Sequence, residues 1–231
     1  MVDGSREEFI CHFFISEEIL KQYKVKHEIQ YHDIIECITC ALDARDTYTA
    51  GHSKRVSDMA LRVCYVLRLK KKEIQKIHIA AHLHDIGKIG VPDVILLKEG
   101  RLEPEEWKQM KKHSEIGAEI LSKSHYLGEL KDIVLHHHER YDGGGYPAGI
   151  QGKQIPLGSR IIAICDSIDA MSSNRCYRKA YDRDFCYQEI KKNLGKMYDS
   201  EIGKAVLEHW DYVVGNEKET YKKEGDKWKG K

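Results

Sequence analysis

The sequence predicts an all-α domain, on three observations. Apolar residues recur at helical spacing along most of the 231-residue chain. No stretch alternates apolar and polar residues with period two, so no sheet is expected. The one long interruption is rich in glycine and proline, the composition of a loop between helices.

Residues 1–32 are helix-prone but irregular and read as an N-terminal extension or linker; a main domain is expected over 33–214 and a polar, flexible tail over 215–231. Cys37 and Cys40 form a lone CxxC inside an apolar run from Ile34 to Leu42, and core packing on a helix face is expected for both. Val56, Met59, Ala60, Val63 and Leu67 mark the next helix. Lys70, Lys71 and Lys72 read as a solvated turn, after which Glu73 to Ile86 resumes the helical period. Pro104, followed by Glu105 and Glu106, has the form of a helix start, with proline in the first turn and acids that favour the dipole. Leu127 to Arg140 and Ser159 to Ser173 are expected as two more helices, with others after Asp182 and after Ser200. Between them Tyr141 to Gly149, with Gly152 and Pro156 beyond, forms a loop longer than helical connectors usually are, and such loops are more often functional.

Composition limits the function. With 38 Lys+Arg against 37 Asp+Glu the formal charge is +1, which argues against a general nucleic-acid binder. No apolar run approaches the roughly 18–20 residues of a membrane span, and no signal peptide opens the chain. Seven cysteines without framework spacing point to a reducing compartment, the cytoplasm, and provide no second CxxC for a zinc site. Histidine stands out: 13 in all, eight of them between His78 and His138. Clustered histidines in a nearly neutral chain point to metal or acid–base chemistry.

The histidine-rich segments are Gly51-His52-Ser53, His84-Asp85-Ile86-Gly87-Lys88, Lys112-His113-Ser114 and His136-His137-His138-Glu139; Cys165-Asp166-Ser167 adds a carboxylate. Imidazoles and aspartates from separate helices can converge in a bundle core, a recurring place for paired transition metals. That donor set suits Fe, Mn, Zn or Ni. Gly87 lets the chain turn sharply, and Lys88 brings a cation beside the metals, where a phosphoryl transition state accumulates charge.

His84 to Asp93 resembles the signature of the HD-GYP class of HD-domain phosphohydrolases. Three more stretches resemble it in the same order: Ala44 to Ser53, His136 to Pro147, and Asp166 to Met171. The resemblance runs from about Asp33 to about Leu207. It implies an HD-domain helical bundle with a binuclear metal centre in its core, and hydrolysis of cyclic di-GMP to linear pGpG and, after a second cut, GMP. By the same resemblance His52, His84, Asp85 and Asp166 hold one metal. Asp85 bridges to a second, held by His113, His137 and His138. A hydroxide activated by the metals would attack phosphorus, with Asp85 and Lys88 as the catalytic residues and Lys88 at the scissile phosphate. Gly145, Tyr146 and Pro147 would shape the mouth of the site, and Arg175 and Arg178 match positions that contact the dinucleotide. Iron or manganese is the metal this implies.

Two departures are visible. The loop's usual serine is Gly144, and Tyr48 stands where members with a third metal place a glutamate. Two metals are therefore expected, because a phenol with a reference pKa of about 10 is a poor ligand at neutral pH. His78 and His82 are expected on a partly exposed helix face, His136 as second shell or surface, and Glu139 and Asp169 as orienters of ligating imidazoles. Rival readings are a phosphodiesterase for another nucleotide, such as 3',3'-cyclic GMP-AMP, and a receptor or interaction module that binds without turnover. The resemblance also suggests a homodimer or an upstream sensory domain as partner.

Overall fold

The computed structural model describes residues 32–46, 51–174 and 179–215. Tyr48, Arg175, Arg178, Cys11, Cys176, the N-terminal extension up to residue 31 and the tail from 216 lie outside the described residues. The chain divides into two units, Met1–Ile34 and Ile35–Lys231. Of the first, only 32–34 are described, as helix.

Eleven helices make up the described part of the second unit. They are α1 (35–45), α2 (His52–Val66), α3 (Lys71–Leu83), α4 (Asp93–Leu96), α5 (Pro104–Lys111) and α6 (His113–Ser122), then α7 (Lys131–Leu135), α8 (Leu157–Ser172), α9 (Arg183–Lys192), α10 (Ser200–Glu208) and α11 (Trp210–Val214). A 3-10 turn, Ile86–Gly90, comes after α3. Among the described residues the only β pairing is an isolated bridge between Leu194 and Tyr198.

The core explains the arrangement. α8 buries Ile161, Ile162, Ile164, Cys165 and Ile168 completely, and each such side chain contributes on the order of 1.5–3 kcal/mol relative to exposure. α2 presents Val56, Ala60, Val63 and Cys64 to it, and α3 adds Ala80, Ala81 and Leu83. Alanines at the contact positions let α2 lie close along α3 and α8. α10 closes the far side with Ile202 and Val206, its N-cap Asp199 accepting from the amides of Glu201 and Ile202 and pairing with Arg160 of α8 at 2.5 Å.

Several sequence expectations need correction. Cys37 and Cys40 are exposed; α1 buries Ile35 and Thr39, with Asp46 buried just past its end, and the cysteines fall beside that stripe. Lys71 and Lys72 already belong to α3, so the turn before it ends at Lys70. The helix expected over Leu127 to Arg140 is a 3-10 turn at Gly128–Leu130 and the short α7, with His136, His137 and His138 in turns beyond its end. Gly87 does not serve a left-handed turn. A Cβ there would lie 1.8 Å from the His113 carbonyl oxygen and 2.5 Å from the Gly117 nitrogen, so glycine is required for the 3-10 turn to lie directly on α6. The Tyr141–Pro156 stretch is a loop, as expected, pinned where the Tyr141 and Asp142 amides donate to Met197 and Lys196.

Candidate metal centre

Helix ends deliver the histidines. His84 directly succeeds α3, His113 stands where α5 passes into α6, and His137 lies just past α7. In each, Nδ1 lies 2.6–2.8 Å from the carbonyl oxygen three residues back: Ala81 for His84, Met110 for His113, Val134 for His137. A carbonyl only accepts, so Nδ1 carries the proton and Nε2 presents its lone pair. Carbonyls at the end of a helix turn lack intrahelical donors, and here they fix both tautomer and ring direction. His52 opens α2. Its Nδ1 donates instead to Asp169 Oδ2 at 2.7 Å, and Arg55 holds the same carboxylate from the other side. His138 is held differently again, stacked on Tyr146 with ring centroids 4.8 Å apart.

Two groups of donor atoms result, and both include Asp85. His52, His84 and Asp85 form one; Asp85, His113, His137 and His138 form the other. Asp85 Oδ2 faces His84 Nε2 at 3.4 Å and His52 Nε2 at 3.8 Å, while Oδ1 faces His113 Nε2 at 3.5 Å. Asp166 Oδ1 lies 3.3 Å from His52 Nε2. The seven residues expected as ligands thus converge, each carboxylate oxygen of Asp85 turned to a different group.

The electrostatics call for cations. Burial pushes His113 and His137 below the ordinary imidazole range and takes His138 down to about 3, so all three are neutral at pH 7. Burial would raise Asp85, but Lys88 and the surrounding imidazoles hold it well below the usual carboxylate range. For His52, burial alone would lower the value; hydrogen bonds to Asp166 and Asp169 outweigh it and raise it to about 10. The Nε2 atoms of His113 and His137 are 3.4 Å apart, both with the proton committed to Nδ1. His84 Nε2 is buried without a hydrogen-bond partner. The facing lone pairs of His113 and His137, and the unpartnered His84 Nε2 beside the Asp85 carboxylate, fit divalent metal ions held in two places.

A cleft of about 830 Å³ opens over these donors. It is lined by His52, Asp85, His113, His138, Asp166, Lys88 and Asp46 and by residues of the 95–110 stretch. Lys88 Nζ is held between Asp85 at 2.9 Å and Asp46 at 3.0 Å. Burial opposes its charge, yet Asp85 and Asp46 raise its pKa, so it stays an ammonium. Tyr146 lines the cleft, and burial raises its phenol, which stays protonated. Gly145 instead packs backbone on backbone: a Cβ there would lie 2.3 Å from the Arg140 nitrogen. Pro147 is exposed, and neither it nor Gly145 is among the residues lining the cleft.

Other residues are placed differently from expectation. Glu139 does not orient a ligating imidazole; it is buried, its Oε1 accepting from the amides of Ala148 and Gly149, and so ties down the loop that carries Tyr146. His136 lies beside it, Nδ1 3.5 Å from that oxygen. His82 is buried rather than partly exposed, 2.9 Å from Ser57 Oγ, with His78 packed against its ring. Sequence reasoning missed Asp46, whose only signal was its place in the Ala44–Ser53 stretch. It also missed the wall at 95–110, for which periodicity gave no sign.

The comparisons agree with this geometry. A family model described as HD domain matches residues 36–202. A cyclic di-GMP phosphodiesterase of Thermotoga maritima is 38% identical over 196 residues, 84% of this chain and 53% of that one. The cyclic di-GMP phosphodiesterase response regulator RpfG of Xanthomonas campestris is 42% identical, over 72% of this chain and 45% of its own. A 3'3'-cGAMP-specific phosphodiesterase of Vibrio cholerae is 36% identical, over 79% and 35%. The chain therefore spans about half or less of the length of these relatives. A crystal structure of a cyclic GMP-AMP specific phosphodiesterase from V. cholerae superposes with a TM-score of 0.63 at 16% identity, over 77% of this chain and 48% of that one, and shares the fold. With the HD-domain match covering most of its length and the histidine and aspartate motifs of that class standing in order along it, the chain belongs to the HD domain family, in its HD-GYP class.

Proposed function

We propose that this chain is a metal-dependent phosphodiesterase that hydrolyses cyclic di-GMP to linear pGpG. One observation carries the reading: Asp85 is shared by two sets of metal-donor atoms at the base of a cleft large enough for a nucleotide. In this reading His52, His84, Asp85 and Asp166 hold one ion, and Asp85, His113, His137 and His138 the other. Iron or manganese suits a set of imidazoles and carboxylates without thiolate. Such a pair of ions supplies Lewis acidity to the phosphoryl group and to the attacking water.

The chain's own residues supply the rest. Lys88, charged and fixed by two carboxylates, stands beside Asp85, where a phosphodiester oxygen would gain negative charge. Tyr146 lines the same cleft and keeps His138 in line by stacking. Asp169 keeps the imidazole of His52 in the tautomer that presents Nε2. Arg175 and Arg178 remain proposed contacts to the dinucleotide, and the reducing cytoplasm the proposed location. No described helix is long and apolar enough to cross a membrane.

The second reading is hydrolysis of 3',3'-cyclic GMP-AMP, supported by the V. cholerae relative named for that substrate. One experiment separates the readings. Anaerobically purified protein is analysed for metals and given both dinucleotides side by side. Two iron or manganese ions per chain, conversion of cyclic di-GMP to pGpG, and loss of turnover in His84→Ala and Asp85→Ala are expected. Faster cleavage of the hybrid favours the second reading. Protein with two metals that leaves both dinucleotides intact refutes enzymatic function.

A further inference from the structure

The cleft wall facing the metal centre has no assigned role. It is one braced piece. Ile95 and Leu96 of α4 are buried against Val91, Leu102 and Met110. Glu106 of α5 accepts from the Glu103 amide at 2.7 Å and from Lys98 Nζ at 2.6 Å, tying the connector between α4 and α5 to α5 itself. From this piece two side chains stand at the cleft in the open. Trp107 is 48% exposed. Arg101 is exposed and has no hydrogen-bond or ion-pair partner among the described residues.

Tyr146 is the aromatic residue that the loop motif offers for stacking, but its ring is already engaged. His138 stacks on it, the Lys111 ammonium lies 5.6 Å from its centroid, and Trp107 meets it nearly edge-on, at 6.3 Å and 78°. A stacked imidazole, a nearby cation and an edge-on indole thus crowd that ring. The free aromatic surface of the cleft therefore belongs to Trp107.

We propose that Trp107 is the platform on which one guanine of cyclic di-GMP stacks, and that Arg101 reads the Hoogsteen edge of that guanine. This rests on the cyclic-dinucleotide reading above and adds the base preference to it. A guanidinium donates two parallel hydrogen bonds to the O6 and N7 acceptors of guanine; adenine presents an amino donor at the same edge and is disfavoured. Stacking accepts either purine. The wall thus binds through Trp107 and discriminates through Arg101.

Steady-state kinetics on the full chain with both dinucleotides tests this, alongside metal content and melting temperature. Trp107→Ala is expected to raise KM for both substrates about 10-fold with kcat nearly kept, and Trp107→Phe to restore most of the loss. Arg101→Gln is expected to weaken binding of cyclic di-GMP about 10-fold and to leave binding of cyclic di-AMP, which carries no guanine, unchanged. Wild-type KM in Trp107→Ala, or a rise accompanied by lost metal or lowered melting temperature, overturns the platform. Equal losses of cyclic di-GMP and cyclic di-AMP binding in Arg101→Gln overturn base reading in favour of a phosphate contact. Binding supplies an arm independent of turnover: on rapid mixing, cyclic di-GMP should quench tryptophan emission in wild type but not in Trp107→Phe, which retains Trp210 and Trp228. Quenching without hydrolysis would refute the phosphodiesterase reading and keep the platform, whereas hydrolysis without that difference in quenching refutes the platform alone.

Discussion

Gly87→Ala tests whether the metal centre depends on backbone contact between the 3-10 turn and α6. The added Cβ would sit 1.8 Å from the His113 carbonyl oxygen, and ordinary contact begins at 3.4 Å. The two segments must then separate by about 1.5 Å, and because the opposing atoms are main chain, no rotamer change relieves it. Overpacking of this kind costs about 3 kcal/mol, the upper end of its range, and for a domain of this size lowers the melting temperature by roughly 6–12 °C. The site suffers more than the fold. Asp85 lies two residues before Gly87, and the displaced carbonyl belongs to His113, whose Nε2 is 3.5 Å from Asp85 Oδ1. A shift of that size opens the group formed by Asp85, His113, His137 and His138.

The expected results are loss of one of two metal ions by elemental analysis and a fall in cyclic di-GMP turnover of at least ~100-fold, the cost of about 1 Å of misplacement at a reacting centre. Gly128→Ala is the control. Its Cβ would meet nothing nearer than the Leu121 carbonyl oxygen at 3.8 Å, so stability should stay within about 0.5 kcal/mol of wild type. Full metal content and activity in Gly87→Ala, or equal damage in Gly128→Ala, would refute the reasoning.

Three further predictions address other supports. Asp169→Asn removes the charge that Arg55 and His52 share; by chelator competition, one metal should bind about 10–100-fold more weakly, and unchanged affinity would show that His52 needs no orienter. Glu139→Ala leaves the amides of Ala148 and Gly149 without their acceptor; hydrogen exchange at these two amides should quicken about 10-fold or more with α8 unaffected, a pattern that global destabilisation would not give. Removing metal with a chelator leaves the neutral imidazoles of His113 and His137 crowded lone pair to lone pair beside Asp85; the melting temperature should fall by several degrees and recover on adding manganese, and no change would mean that the converging donors hold no ion.

The parts of this fold legible in the sequence depend on short-range pattern. Helical spacing marked α2, α3 and α8, and three successive glycines marked the loop, because periodicity and backbone freedom are local properties. The proposed ligands stood out because imidazoles and carboxylates bunch in short motifs. What was misread depends on neighbours distant in sequence. Cys37 and Cys40 fall just off the buried stripe of α1, a rotation that an apolar run does not fix. His136 to His138 continue an apolar segment yet leave the helix, where His137 and His138 meet His113 of α6, more than twenty residues away. Gly87 had an evident local use, a turn, while its actual constraint is the backbone of α6. Trp107 and Arg101 belong to a wall that exists only once α4 and α5 fold across the cleft, so nothing within α5 itself distinguishes the tryptophan from an ordinary packing residue.

The way the imidazoles are held separates fixed ligands from adjustable ones. His84, His113 and His137 take their orientation from main-chain carbonyls at the ends of helix turns, which no side-chain substitution removes. His52, at the start of a helix, depends on the carboxylate of Asp169, and His138 depends on the ring of Tyr146. Each proposed ion therefore has one ligand whose support is a side chain, and the two supports differ in kind. Asp169 is buried in α8 and locked by Arg55, so the first ion is set by the core. Tyr146 sits on a loop tied down by Glu139 and edged by Trp107, so the second ion is coupled to the mouth of the cleft. A base settling on Trp107 would press on the ring that aligns His138, and substrate binding and metal geometry would then be linked through a single aromatic contact.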